Sequence, residues 1–253
     1  MNSSVKILAR LWWGPLRRPF EAISRRIWGN KKHIQFGLLK GRFFQGGLAQ
    51  ILGVYEFAVQ EVLYQQLQSG QVFYDVGANN GFLSLLASFL VGERGRVYAF
   101  EPFPLNVEAI EMVMRQNQLA NCYLVPQAVA EADGEMYLYF EQSDSIATPS
   151  LLASRANQSV TVQTVTLNSF IKKHPWPKLV KVDIEGAEAL LLKGATDLLA
   201  MAAAPSWLIE IHSAAVDQKV KAILDDHSYH WELVPSLKRD RPAYPNHIFA
   251  WKE

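Results

Sequence analysis

The stretch Asp75-Val76-Gly77-Ala78-Asn79-Asn80-Gly81 closes an apolar run that begins at Gln71 and leads into a helical pattern over Phe82 to Leu90. A strand that ends in an acid and turns through two glycines into a helix sets small residues at the carboxyl edge of a sheet. A ligand can approach the backbone closely there, beside a helix N-terminus. Glu101 ends the next apolar run, Arg96 to Glu101, twenty residues after Gly81. Doubly wound folds place at that point the carboxylate that accepts hydrogen bonds from a ribose 2′,3′-diol. Together these features predict an adenosyl site. The dinucleotide fingerprint Gly-x-Gly-x-x-Gly is not met, because the run reads Gly-Ala-Asn-Asn-Gly-Phe and lacks the middle glycine. Asp75 would repel a pyrophosphate but attract the ammonium of S-adenosyl-L-methionine, so that cofactor is favoured over NAD. The alternative is a plain strand-to-helix turn with an Asn cap.

Outward from this motif the chain alternates short β-rich runs with amphipathic helical stretches, the pattern of a parallel α/β sheet. Helices are expected over Leu105 to Asn117, Ala187 to Ala200 and Val216 to His227. Further strands are expected at Cys122 to Val125, Leu179 to Ile184 and Ser206 to His212. Glu135 to Phe140 and Val160 to Thr166 have only the polar, Ser-rich residues 141–159 between them, so residues 135–166 predict an inserted hairpin or lid. The last two runs, His230 to Val234 and His247 to Trp251, are joined by a Pro-rich loop and predict an antiparallel pair at one sheet edge.

The 253 residues are 49% apolar and 19% charged, with one cysteine and a net charge of +1, a composition that fits an ordinary globular protein. Cys122 alone excludes an internal disulfide, and no Cys/His cluster has structural-zinc spacing. A cytoplasmic setting is expected, with no spanning helix and no secretion signal. The charge is unevenly spread. Residues 1–42 hold ten Lys/Arg and one acid, Glu21, giving +9 and leaving −8 for the rest. Residues 1–45 therefore read as a separate basic layer before a domain at 46–253, and Pro15 and Pro19 break any long helix in that layer. Phe20, Ile23 and Ile27 are spaced as one helix face. The segment is a candidate for packing on its own domain, for a homodimer contact, or for peripheral contact with an anionic membrane. No nucleic-acid partner is expected, because the domain proper is acidic and the basic run lacks a known module.

A second constellation, Lys181-Val182-Asp183-Ile184-Glu185-Gly186-Ala187-Glu188, lies at a strand end and helix start. Period-2 alternation puts Lys181, Asp183 and Glu185 on one side, at the same edge as Asp75. Acids in a first helical turn also complement the helix dipole, which would account for Glu185 and Glu188 without chemistry. A lysine and two acids at a buried strand end nonetheless suit a reaction site.

DVGANNGFLSLLA, AFEPFPLN, AVAEADGEMYLYF, VKVDIEGAEALLLKGA and IEIH, in this order and spacing, resemble the FkbM family of S-adenosylmethionine-dependent methyltransferases over about residues 50–253. Gly53-Val54-Tyr55-Glu56 resembles a stretch that precedes the first strand in such proteins. The resemblance implies a class I methyltransferase fold, a Rossmann-like three-layer sandwich around a mostly parallel seven-stranded sheet. It also implies O-methylation of a hydroxyl on a sugar, glycolipid or secondary metabolite.

Methyl transfer from a sulfonium is an in-line displacement, and a hydroxyl acceptor needs a base as its new bond forms. His212 is the first candidate base, with Asp183 and Glu185 as rivals and Lys181 beside them. Asp75, Gly77, Asn79 and Gly81 are expected at the methionine end of the cofactor, Glu101 at the ribose and Gln127 at the adenine. Asp183, Glu185 and Glu188 could bind a hard cation, but three acids in six residues do not make a cage, and no metal is assigned. A non-catalytic adenosyl-binding scaffold and a nicotinamide oxidoreductase are the competing readings.

Overall fold

A computed structural model describes residues 3–14, 16–140, 158–235 and 246–253. The chain begins with two helices, α1 (Ser3–Trp13) and α2 (Arg17–Trp28), then the short α3 (Leu48–Ile51) and α4 (Phe57–Gln66). The alternating core follows as β1 (Val72–Val76), α5 (Phe82–Val91), β2 (Arg96–Phe100), α6 (Pro104–Asn117) and β3 (Cys122–Val125). After β4 (Ala128–Val129), β5 (Gly134–Phe140), β6 (Gln158–Val165) and α7 (Leu167–Phe170), the core resumes. It continues with β7 (Leu179–Val182), α8 (Glu188–Lys193), α9 (Thr196–Ala200), β8 (Ser206–Ile211), α10 (Ala214–Asp226), β9 (His230–Leu233) and β10 (Asn246–Trp251).

Seven strands form one sheet in the order β3-β2-β1-β7-β8-β10-β9. All neighbours are parallel except β10, which runs antiparallel to both β8 and β9. The strand order reverses between β1 and β7, which opens a crevice at their carboxyl ends where ligands bind in such sheets. The strands are buried on both faces, as their near-continuous apolar sequences require. Tyr74, Val76, Tyr98, Phe100, Val180 and Val182 point into one apolar layer, and Phe73, Val97, Ala99 and Leu179 into the other. α5 is buried almost all round against the second layer.

The expected edge pair forms, but the last strand inserts between β8 and β9 rather than lying outside them. The single helix expected over Ala187 to Ala200 is two helices. The break falls at Gly194, where the carbonyl of Ala130 passes so close that a Cβ would lie 2.3 Å from it. β5 and β6 pair antiparallel, and β4 joins β6 to make a separate three-stranded sheet. Most of the lid expected at residues 141–159, and most of the Pro-rich loop before β10, lie outside the described residues.

The N-terminal layer divides in two. Val5, Ala9 and Trp12 of α1 bury against Leu52, Val54 and Phe57. Ile34, Leu39 and Phe44, in the arm after α2, join the apolar layer of the main sheet. Asn117 at the end of α6 clasps that arm, accepting from the Phe43 N–H at 3.0 Å and donating to the Phe43 carbonyl at 2.9 Å.

Candidate active site

The turn after β1 is held by contact with the turn after β7. Gly77 has φ +78°, and a Cβ there would lie 1.8 Å from the backbone carbonyl oxygen of Asp183. Glycine at this position thus serves the crossing of two backbones. Gly77→Ala is expected to lower stability by at least about 2 kcal/mol, from the left-handed backbone and the clash together. Urea denaturation checks this, and an unchanged midpoint would contradict it.

Two cavities open at the carboxyl ends of β1, β2 and β7, of about 560 and 590 Å³ with their solvent mouths included. Glu101, Asn106, Gln127 and the apolar Phe100, Val129 and Leu138 wall the first. Tyr55, Glu56, Lys181 and Glu210 wall the second. Gly77, Asn79, Asp183 and Glu185 line both, so these four mark the junction.

Glu101 is 4% exposed and holds the β1 turn from beneath, its two oxygens accepting from the N–H groups of Asn79 at 2.8 Å and Phe103 at 2.9 Å. Burial pushes its carboxyl up to about 7, against the pull of those two hydrogen bonds. Each oxygen keeps a further lone pair for a ligand hydroxyl. Asn106, on the first turn of α6, is buried at this wall beside the Glu101 carboxyl, which its amide also helps to hold ionised. Apolar walls, a buried carboxylate and a neighbouring amide together fit an adenosyl group.

At the junction, the Lys181 Nζ is 3.1 Å from Asp183 Oδ2 and 4.0 Å from Asp75 Oδ1. Lys181 and Asp75 are register neighbours on β7 and β1, and both are buried. Burial opposes the ammonium, but Asp183, Glu56 and Asp75 outweigh it and raise the Lys181 pKa. Burial likewise lifts Asp183 well above the usual carboxylate range, with Lys181 acting against the shift.

His212 lines neither cavity. Its Nδ1 is 2.8 Å from Glu188 Oε1, and its Nε2 is 3.6 Å from Asp183 and 3.5 Å from Glu185. Burial works against a charged ring, but the Glu188 hydrogen bond and the charges of Glu188, Glu185 and Asp183 raise it to about 9. The ring is thus an imidazolium at neutral pH, not the near-neutral group its ordinary pKa suggests.

Asp75 and Gly81, expected at the methionine end, line neither cavity. Asp75 is fully buried and accepts from the Ser84 hydroxyl at 2.5 Å. Gly81 faces Ile110 of α6. Gln127, Asn79, Gly77, Glu101, Asp183 and Glu185 do come together. Glu188 is wholly buried and bonded to Gly186 and His212, so it points away from the cavities. Tyr55, Glu56, Asn106 and Leu138 had no role assigned from sequence, although all four stand within the quoted motifs. Two sets, Asp183/Glu185/His212 and Glu56/Asp183/Glu210, bring metal-ligating atoms within 4.8 Å of one another. Lys181 already places a cation among them, and no metal is assigned.

A family model, the methyltransferase FkbM domain, matches residues 75–238, well over half of the chain. The chain belongs to the FkbM methyltransferase family. It is an S-adenosylmethionine-dependent methyltransferase, and the nicotinamide reading falls away. Hexuronic acid methyltransferase AglP of Haloferax volcanii is 26% identical over 184 residues, covering 72% of each chain. A candidate rRNA methylase from Clostridium thermocellum shares the fold with a TM-score of 0.51 and 11% identity, over 77% of this chain and 93% of that one. No helix among the described residues of this FkbM methyltransferase is long and apolar enough to cross a membrane.

Proposed function

We propose that this enzyme moves a methyl group to a hydroxyl of a sugar, with Asp183 taking the proton. The observation that carries the reading is that Asp183 lines both cavities, where an adenosyl group on one side would meet an acceptor on the other. S-adenosylmethionine, when bound, supplies an electrophilic methyl on a sulfonium. Glu101, Asn106 and Gln127 would hold its adenosyl end, and Gly77 and Asn79 the turn beside its methionine end.

Asp183 Oδ1 accepts the acceptor's proton, while Lys181 holds Oδ2 and fixes the carboxylate's orientation. His212, charged and tied to Glu188, lies with its Nε2 3.6 Å from that same Oδ1 and favours the ionised form of Asp183. Glu56, Asp183, Glu185 and Glu210 make the second cavity acidic against the single Lys181. A neutral sugar ring suits that wall better than a carboxylate set beside the reacting oxygen. The relative's acceptor class supports a sugar, and the wall's charge supports a hydroxyl on it.

The test is mass spectrometry of products from a panel of neutral glycosides and hexuronic acids. A methyl ether on a sugar hydroxyl is expected, and methylation confined to carboxylates or to RNA would refute the reading. Glu101→Gln is expected to weaken cofactor binding by about 1–2 kcal/mol, the worth of a charge-assisted hydrogen bond. In the wild type, affinity should fall as pH drops below about 7, because the carboxyl then protonates. Calorimetric titration of both proteins checks this, and equal affinities would remove Glu101 from the ribose site.

A further inference from the structure

Phe20, Ile23 and Ile27 are spaced as one helix face, but the side that α2 turns inward is centred elsewhere. Its buried residue is Ser24, flanked by the aromatic Phe20 and Trp28, which pack edge-on against Trp12 and Phe36. Ile23 is 62% exposed and Ile27 53%, and Leu16, just before the helix, is 58% exposed. At positions i, i+7 and i+11 these three fall on one line along the helix. Arg18 and Arg26 are exposed on the same helix, and Lys31 and Lys32 follow it. None of these four has an ion-pair partner among the described residues. Arg17 and Arg25 share Glu21, the one acid before Glu56.

We propose that this outward face of α2 docks on an anionic lipid surface, with Leu16, Ile23 and Ile27 entering the headgroup boundary and Arg26, Lys31 and Lys32 meeting lipid phosphates. Aliphatic side chains set among unpaired guanidinium and ammonium groups match both parts of such a surface. Nucleic acid would satisfy the charges but leave the aliphatic line in water. A second copy docked through the same face would bring two unpaired basic sets together. α1 fixes α2 to the domain. Its Trp12 buries with Leu52, Val54 and Phe57, the residues that bracket Tyr55 and Glu56 at the second cavity. Docking would therefore hold the acceptor side of the enzyme near the membrane, where a lipid-linked glycan is presented. That last consequence rests on the sugar-hydroxyl reading, whereas docking itself does not.

The test is flotation of the full chain with vesicles of phosphatidylcholine alone or mixed with phosphatidylglycerol. Binding to the mixed vesicles only is expected. Arg26→Glu with Lys31→Glu should cut partitioning at least about 30-fold, from two surface charges worth about fivefold each before reversal. Ile23→Asp with Ile27→Asp should cut it at least as far. Both variants change exposed side chains, so unchanged circular dichroism and S-adenosylhomocysteine affinity show that they are folded and that the methyltransferase site is intact. No flotation with anionic vesicles overturns the proposal, as does binding that neither variant changes. A dimer in light scattering that the Ile23/Ile27 variant dissociates would assign the face to a second copy instead and equally overturn it.

Discussion

Asp183→Asn is expected to lower turnover by about 10²–10⁴-fold, the usual worth of a positioned base, while leaving S-adenosylhomocysteine affinity nearly unchanged. The amide keeps the shape of the side chain and an acceptor for Lys181, but it cannot take a proton. The pH profile separates this account from its rival. Asp183 must be ionised to act, and burial raises its pKa. Wild-type turnover should therefore fall as pH drops below neutrality, well above the ordinary aspartate value of about 4. If His212 were the base, the ring would have to be neutral, and turnover would keep rising up to about 9. Initial rates at saturating cofactor across this range, for wild type and the Asn variant, decide between them. Loss of the acid limb in Asp183→Asn supports Asp183, whereas a full rate with an alkaline rise moves the role to His212.

Lys181→Met should lower stability by about 3–5 kcal/mol, the cost of breaking a buried charge pair by removing one partner. Lys181 is the cation beside Asp75, which is fully buried, and Asp183. Without it these carboxylates take up protons in the folded state more readily than in the unfolded chain. Stability of the variant then falls as pH rises, because the folded state must give up protons that the unfolded state no longer holds. Adding Asp75→Asn should recover part of the loss, since it removes one of the stranded charges. Urea denaturation at acidic and alkaline pH measures both effects. A loss below about 1 kcal/mol, in the range of an ordinary surface substitution, would show that the pair is not a buried charge centre.

The sheet was legible because its strands carry apolar runs buried on both faces and each ends in a recognisable turn. The DVGANNG turn and Glu101 were legible together, since their spacing follows from a single βαβ unit. The direction of Asp75 was not, because an acid at a strand end can face the crevice or a helix hydroxyl, and Ser84 settles which. His212 was visible as a strand-end histidine. Its partner Glu188 was not, since 24 residues of helix and strand separate them. That partner and the nearby acids change the ring from a candidate base into a cation. The break at Gly194 and the inward turn of Ser24 share one cause: long-range packing overrides the local helical pattern.

The most direct measurement is a calorimetric titration of the purified protein with S-adenosylhomocysteine, with NAD as control. Micromolar binding of the first and none of the second is the predicted result, and it would support an adenosyl site of the kind assigned to the first cavity. A folded protein that binds NAD, or that gives no heat with S-adenosylhomocysteine, would contradict the account of the first cavity and with it the role of Asp183.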